Sequence, residues 1–402
     1  MRKTILKFLA TLLIVSLLLT NLPGYSNVKA DNGPKTVNVY VDPRIELLYT
    51  VELLSGYSVT GYYNTQYKKE ILDYFSAFKS HPAVKKFKEM SCRVFGYDAP
   101  PAAMLCLSNP PELKIVIPFE KTNNEIIDRA GGEKNLESFV DTLRDFAIKT
   151  NFMDFFNAHK VLYSKYVDRL KSEEFNIYRN ASILEDFYGV SNNSYNIILE
   201  PLAIGGGYGS RIESEPSKFD IYAILEAGDY INYNTYHLSE ILMKYTWHEF
   251  SHSFVNPITE KYRDEVNKYS KLFRPIAKVM RNQAYGKWEI CVNEHIVRAV
   301  VAKLVEKYIS KDDAEFILSR EEHAGFIYIR GIYNIIDKYD KNRDKYKTFE
   351  DIYPEILDYF NKTSLNTPLV TSERTLFLIL IAIFIFIAIG LLIFLKIRNR
   401  KK

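Results

Sequence analysis

In the pentapeptide His248-Glu249-Phe250-Ser251-His252, two imidazoles stand four residues apart with a carboxylate beside the first. On a helix this spacing stacks the imidazoles on one face, so both can reach one tetrahedral ion at roughly 2.0–2.1 Å. Glu249 is turned by about 100° from His248, which aims it past the ion at a water bound there. The pattern separates two metal ligands from one general base, the division of roles that metal-assisted hydrolysis needs.

The elements around the pentapeptide must hold it inward. Leu238-Ser239-Glu240 offers a helix start, and the spacing predicts a helix running to Val255 and stopped by Pro257. Ile241, Tyr245, His248, His252 and Val255 share one stripe, so the two histidines face inward with apolar neighbours, where unpartnered imidazoles are costly to bury.

A third protein ligand is required if the fourth coordination position is to hold water. The candidate is Glu294, on a second helix whose apolar stripe Ile290, Val297, Val301 and Leu304 passes through that position. A carboxylate facing inward needs a cation or must be neutralised. Arg298, one turn on, offers a plain salt bridge, and it can equally support a metal-bound Glu294 from behind. Glu289, about 140° away around the helix, is a secondary alternative, as are His295, Glu260 and Asp264.

Elsewhere the sequence predicts a mainly helical α+β fold. Helical periodicity marks Tyr67 to Phe78, Leu136 to Ala147 and Phe155 to Leu170 in a first subdomain, residues 31–190, which opens on a short strand, Val37 to Val41. A second subdomain, residues 191–360, starts with strand-like runs, Tyr195 to Leu199 and Phe219 to Leu225, and returns to helix. The glycine-rich stretch Gly205 to Arg211 between those runs lacks the Lys-Ser/Thr of a phosphate loop and reads as a flexible connection.

The two ends read differently from the body. Arg2 and Lys3, an apolar run from Ile5 to Leu22 and Val28-Lys29-Ala30 have the pattern of a signal peptide over residues 1–30. Residues 376–395 are uncharged and apolar, long enough at about 1.5 Å per residue to cross a bilayer core of about 30 Å. A polar stalk, residues 361–375, precedes this transmembrane helix, and a basic tail, residues 396–402, follows it. That tail belongs on the cytoplasmic side, so a single-pass protein of the cell membrane with its body outside is expected.

Of 53 basic residues, nine lie in these acid-free ends, leaving 44 against 49 acidic ones. A slightly acidic body excludes a nucleic-acid surface. Cys92 and Cys106 bracket a turn-rich segment and could bridge outside the cell, or serve with Cys291 as small buried hydrophobes.

With its HExxH helix and an Asn-Glu on a later helix, the chain resembles the gluzincin metallopeptidases, the thermolysin-like group. The metzincin continuation is excluded, because Val255 and Ile258 stand where that class needs Gly and His. More of the chain is similar to an uncharacterised bacterial HExxH family known only as a domain of unknown function. That similarity rests on Pro43 to Leu48 with Ser55-Gly56-Tyr57, His81 to Val84, Tyr208-Gly209, His248 to Pro257, Glu294 to Ala299, and Gly325-Phe326 with Tyr339 to Tyr346.

The resemblance implies a zincin-like helix beside a small sheet. It also implies Zn2+ on His248, His252 and Glu294, Glu249 as base, and a peptide or protein substrate. By the same analogy, Phe219 to Leu225 becomes a substrate-binding edge strand, and the oxyanion donor falls among Tyr208, Arg211, Tyr285 and His323. Two further readings share these residues: a surface binding module that uses zinc structurally, and a metal hydrolase acting on a non-peptide bond.

Overall fold

The computed structural model describes residues 37–366 except 123–124, 172–177, 204–206, 216–217 and 228–234. The segments read as signal peptide, transmembrane helix and basic tail lie outside the described residues, as does the stalk beyond residue 366. Among the described residues no helix is long and apolar enough to cross a membrane. Residues 361–366, read as stalk, continue the last helix, Phe349–Asn366, and the Ser364 hydroxyl bonds back to the Asn361 carbonyl at 2.8 Å.

The fold is mainly helical with one four-stranded mixed sheet. Its strands are β1 (Val37–Tyr40), β2 (Ser194–Glu200), β3 (Gly207–Glu215) and β4 (Lys218–Glu226), in the order β1-β2-β4-β3. β1 and β2 are parallel, as are β2 and β4, while β3 runs antiparallel to β4.

Because side chains alternate along a strand, the sheet faces two cores. Val37, Val39, Tyr195, Ile197, Leu199, Ile221, Ala223 and Leu225 point to one, built largely by helices C-terminal to the sheet. Ile198, Ile212 and Ile224 point to the other, built by helices between β1 and residue 163. Strands covered on both faces read as nearly unbroken apolar runs, as Ile197-Ile198-Leu199 does.

The central helix of the N-terminal layer is Pro43–Ser55. Asp42 caps its start by accepting from the Arg44 amide at 2.8 Å, proline occupies its first turn, and Gly56 ends it in the left-handed conformation, φ 77°. The expected 155–170 helix is two helices, Phe152–Ala158 and Lys160–Lys171, separated at His159. Its ring bonds the Phe155 carbonyl at 2.8 Å and Glu70 at 3.0 Å.

Two expectations need correction. β4 is not an edge strand, because it lies between β2 and β3; the edge is β3, which runs through most of the stretch read as a glycine connection. Secondly, Pro257 does not stop the pentapeptide's helix, which spans Thr235–Lys261. A proline has no N–H for the carbonyl four residues back, here that of Ser253, and the Arg211 Nη1 donates to that oxygen at 3.5 Å instead. Of the two readings left open for the cysteines, all three are free: Cys106 and Cys291 are buried, and Cys92 is exposed on the helix Pro82–Arg93.

Candidate metal centre

The histidine helix, Thr235–Lys261, packs across both β3 and the helix Trp288–Tyr308, which carries Glu294. Trp247, Phe250, Phe254 and Val255 of the first helix and Cys291, Val292, Ile296 and Val297 of the second enter one core, fixing the rotation of both helices. The polar groups left between them are His248, His252 and Glu294.

Their ligand atoms converge. The two Nε2 atoms are 3.2 Å apart, His252 Nε2 is 3.4 Å from Glu294 Oε1, and His248 Nε2 is 3.7 Å from Glu294 Oε2. Ligands bound tetrahedrally at roughly 2.0–2.2 Å from one ion stand about 3.3–3.6 Å apart. The nearest contacts, 3.2–3.7 Å with one Glu294 oxygen facing each imidazole, lie close to that spacing, and the three residues form a group that could hold a metal ion. Among the described residues no third histidine, no cysteine and no second carboxylate joins the cluster.

Neighbouring groups set the ligand chemistry. The Nδ1 of His252 faces Asn256 Oδ1 at 3.2 Å, which places the ring proton there and leaves Nε2 with its lone pair for a metal. Burial, then His252 and Arg298, push His248 well below the usual histidine range, so it is neutral, the form that ligates.

Arg298 is the hub behind Glu294. It donates from Nε and Nη2 to Glu294 Oε2 at 3.2 and 3.1 Å, from Nη1 to Glu321 Oε2 at 2.8 Å, and from Nη2 to the Tyr285 hydroxyl at 3.1 Å. Its plane lies over Phe326, 4.3 Å from the ring centre. Lysine cannot hold these partners at once. Arg298→Lys should weaken metal binding by about 10–100-fold, measured by competition with a chromophoric chelator; an unchanged affinity would reduce Arg298 to a packing role.

Glu249 lies beside the cluster, 5% exposed. Burial, and next the Glu294 charge, push its carboxyl up to about 8, against the pull of Arg298 and of a hydrogen bond from the Gly209 amide. That bond exists because β3 comes unusually close. A Cβ on Gly209 would lie 2.3 Å from the Glu249 carbonyl oxygen, and one on Gly207 would lie 3.0 Å from Glu249 Cγ. The two glycines, two residues apart, put one face of β3 directly on the histidine helix.

The alternative ligands lie elsewhere. Glu289 accepts from Asn267 at 2.9 Å, Glu260 is exposed and paired with Arg263, and His295 is turned to the Cys291 carbonyl at 2.6 Å. Asp264 sits in the first turn of a separate short helix, Arg263–Asn267.

Of the four oxyanion candidates, His323 bonds Ser319 at an exposed helix end, Arg211 is taken up by Ser253 and by Phe219, 4.2 Å from the ring centre, and Tyr208 packs on the N-terminal core. Tyr285 is tied to the centre through Arg298. Sequence reasoning missed Asn256, Glu321 and the paired glycines. Asn256 was within reach as the next helical turn after His252, and Gly207-x-Gly209 as a period-two pattern.

These observations define the class: a mainly helical α+β protein with a His-His-Glu group that could hold a metal ion, set between two helices at a sheet edge. The chain belongs to the family described as a domain of unknown function (DUF4932), which matches residues 37–359. No curated protein and no solved structure matches it significantly.

Proposed function

We propose that the protein is a membrane-anchored, extracellular zinc metallopeptidase. The observation that carries this is the convergence of His248, His252 and Glu294, their nearest ligand atoms 3.2–3.7 Å apart, with the buried carboxyl of Glu249 next to them. Two imidazoles and one carboxylate are the ligand types of hydrolytic zinc sites, and three protein ligands leave a position for water, whereas structural zinc sites are closed by four. Anchoring rests on the apolar run 376–395 with its basic tail.

Zinc, when bound, supplies a Lewis acid for the scissile carbonyl and acidifies water. Glu249, within hydrogen-bond reach of the Gly209 amide, takes the proton of the attacking water and delivers it to the leaving amine. Arg298 donates into the oxygen of Tyr285, which leaves the tyrosine's own proton for the substrate oxygen that gains charge. Among the described residues no strand pairs with the outer side of β3, and that edge, apart from the Gly209 amide held by Glu249, offers backbone groups to an extended peptide.

The test is incubation of the full-length chain, in detergent with zinc, with a peptide library read by mass spectrometry. Cleavage with a consistent residue preference is expected. A fully metal-loaded protein that cleaves no peptide would remove the peptidase reading and favour a binding module or a non-peptide substrate.

A further inference from the structure

The N-terminal layer carries a cleft of about 560 Å³, and no residue of the metal centre lines it. Its walls come from the helices Gln66–Phe75 and Phe152–Ala158, with His159 just after the second. On the first helix Glu70, Asp73 and Tyr74 stand three and four residues apart, so they share one face. On the second, Asp154 and Ala158 do the same, and Phe155 lies beside them.

The aromatic wall is fixed before any guest arrives. Phe155 is buried, its ring centre 5.1 Å from Tyr74, 4.9 Å from Phe75 and 4.1 Å from His159. His159 is held in turn by the Phe155 carbonyl at 2.8 Å and by Glu70 Oε2 at 3.0 Å. Tyr74, by contrast, is 42% exposed, so its ring is open to a ligand.

The three acids divide. Both oxygens of Glu70 are engaged, Oε1 by the Gln66 amide at 2.8 Å and Oε2 by His159. Asp73 and Asp154 have no side-chain hydrogen bond or ion pair among the described residues. Nor do these carboxylates converge as metal ligands, since the group among the described residues whose ligand atoms come together is His248, His252 and Glu294. The cleft thus sets two unpaired acceptors beside an aromatic face and the apolar surface of Phe155 and Ala158. A bare ion would leave the aromatic and apolar surfaces unused, and a quaternary ammonium has no N–H for the carboxylates. An N–H cation on an alkyl stem satisfies all three.

We propose that this cleft binds the side chain of a lysine or arginine carried by a peptide. The aliphatic stem lies against Phe155 and Ala158, and the charged head sits over Tyr74 and donates to Asp73 and Asp154. At this volume, within the roughly 300–1,000 Å³ of small-ligand sites, the cleft admits the side chain with its adjoining backbone. Binding here needs no metal.

The experiment is saturation-transfer NMR on the full-length protein in detergent, with acetylated and amidated Gly-Arg-Gly and Gly-Lys-Gly. The citrulline counterpart of the first peptide keeps the shape and loses the charge. Both basic peptides should bind about tenfold more tightly than the citrulline peptide, with zinc or with a chelator present. Asp73→Asn combined with Asp154→Asn should remove that preference, and because both residues are exposed the fold should persist. Tyr74→Ala should weaken both basic peptides, Tyr74→Phe should keep them, and exposed Glu89→Gln on another helix should change nothing. Equal binding of the citrulline peptide, a preference that survives in the double variant, or displacement of the basic peptides by an equal concentration of tetramethylammonium or calcium would overturn the proposal.

Discussion

Glu249→Gln should lower peptide hydrolysis by about 10²–10⁴-fold while leaving the metal in place. Glutamine keeps the shape of a side chain that is 5% exposed and can still accept from the Gly209 amide, but it cannot take a proton from water. The three ligand groups are untouched, so metal content should equal that of the wild type. Folding should not suffer, because burial already disfavours the charged form of this carboxyl. Rates measured on the cleaved peptide beside zinc content separate the two effects. A Glu249→Gln protein that binds zinc and cleaves at the wild-type rate would take the base role away from Glu249.

Gly209→Ala should be nearly as damaging by a different route. Its Cβ would lie 2.3 Å from the Glu249 backbone oxygen and 3.3 Å from His252 Cβ, both fixed parts of a helix, so β3 must move away. Overpacking of this kind costs about 1–3 kcal/mol, and the shift also withdraws the Gly209 amide from Glu249. Loss of turnover together with a lowered melting temperature is expected. Gly286→Ala is the comparison, since a Cβ there meets nothing within 4 Å, and it should behave as wild type. Full activity in Gly209→Ala would show that β3 is not held against the site as described.

The convergence of His248, His252 and Glu294 was legible because helical periodicity reports direction. The i, i+4 histidines, the inward stripe through Glu294 and the turn-on partner Arg298 all follow from 3.6 residues per turn. What the sequence hid depends on contacts between distant segments. Glycines lower strand propensity, so β3 reads as a loop until the histidine helix is laid against it. Pro257 reads as a terminator because the arginine that donates to the carbonyl it leaves unpaired, that of Ser253, lies in β3. The division of the sheet between two cores likewise has no local signature. Phe219 to Leu225 was placed at the edge for the same reason, since the strand outside it, β3, read as a loop.

The most direct test of the central claim is the metal content of the purified full-length protein beside His252→Ala and Glu294→Ala, each passed over a desalting column and analysed by elemental mass spectrometry. The account predicts close to one zinc per wild-type chain and a strong loss in both variants, with circular dichroism showing that the helices persist. A wild type that carries no divalent metal after exposure to zinc, or variants that retain it fully, would contradict the assignment of His248, His252 and Glu294 as a metal centre.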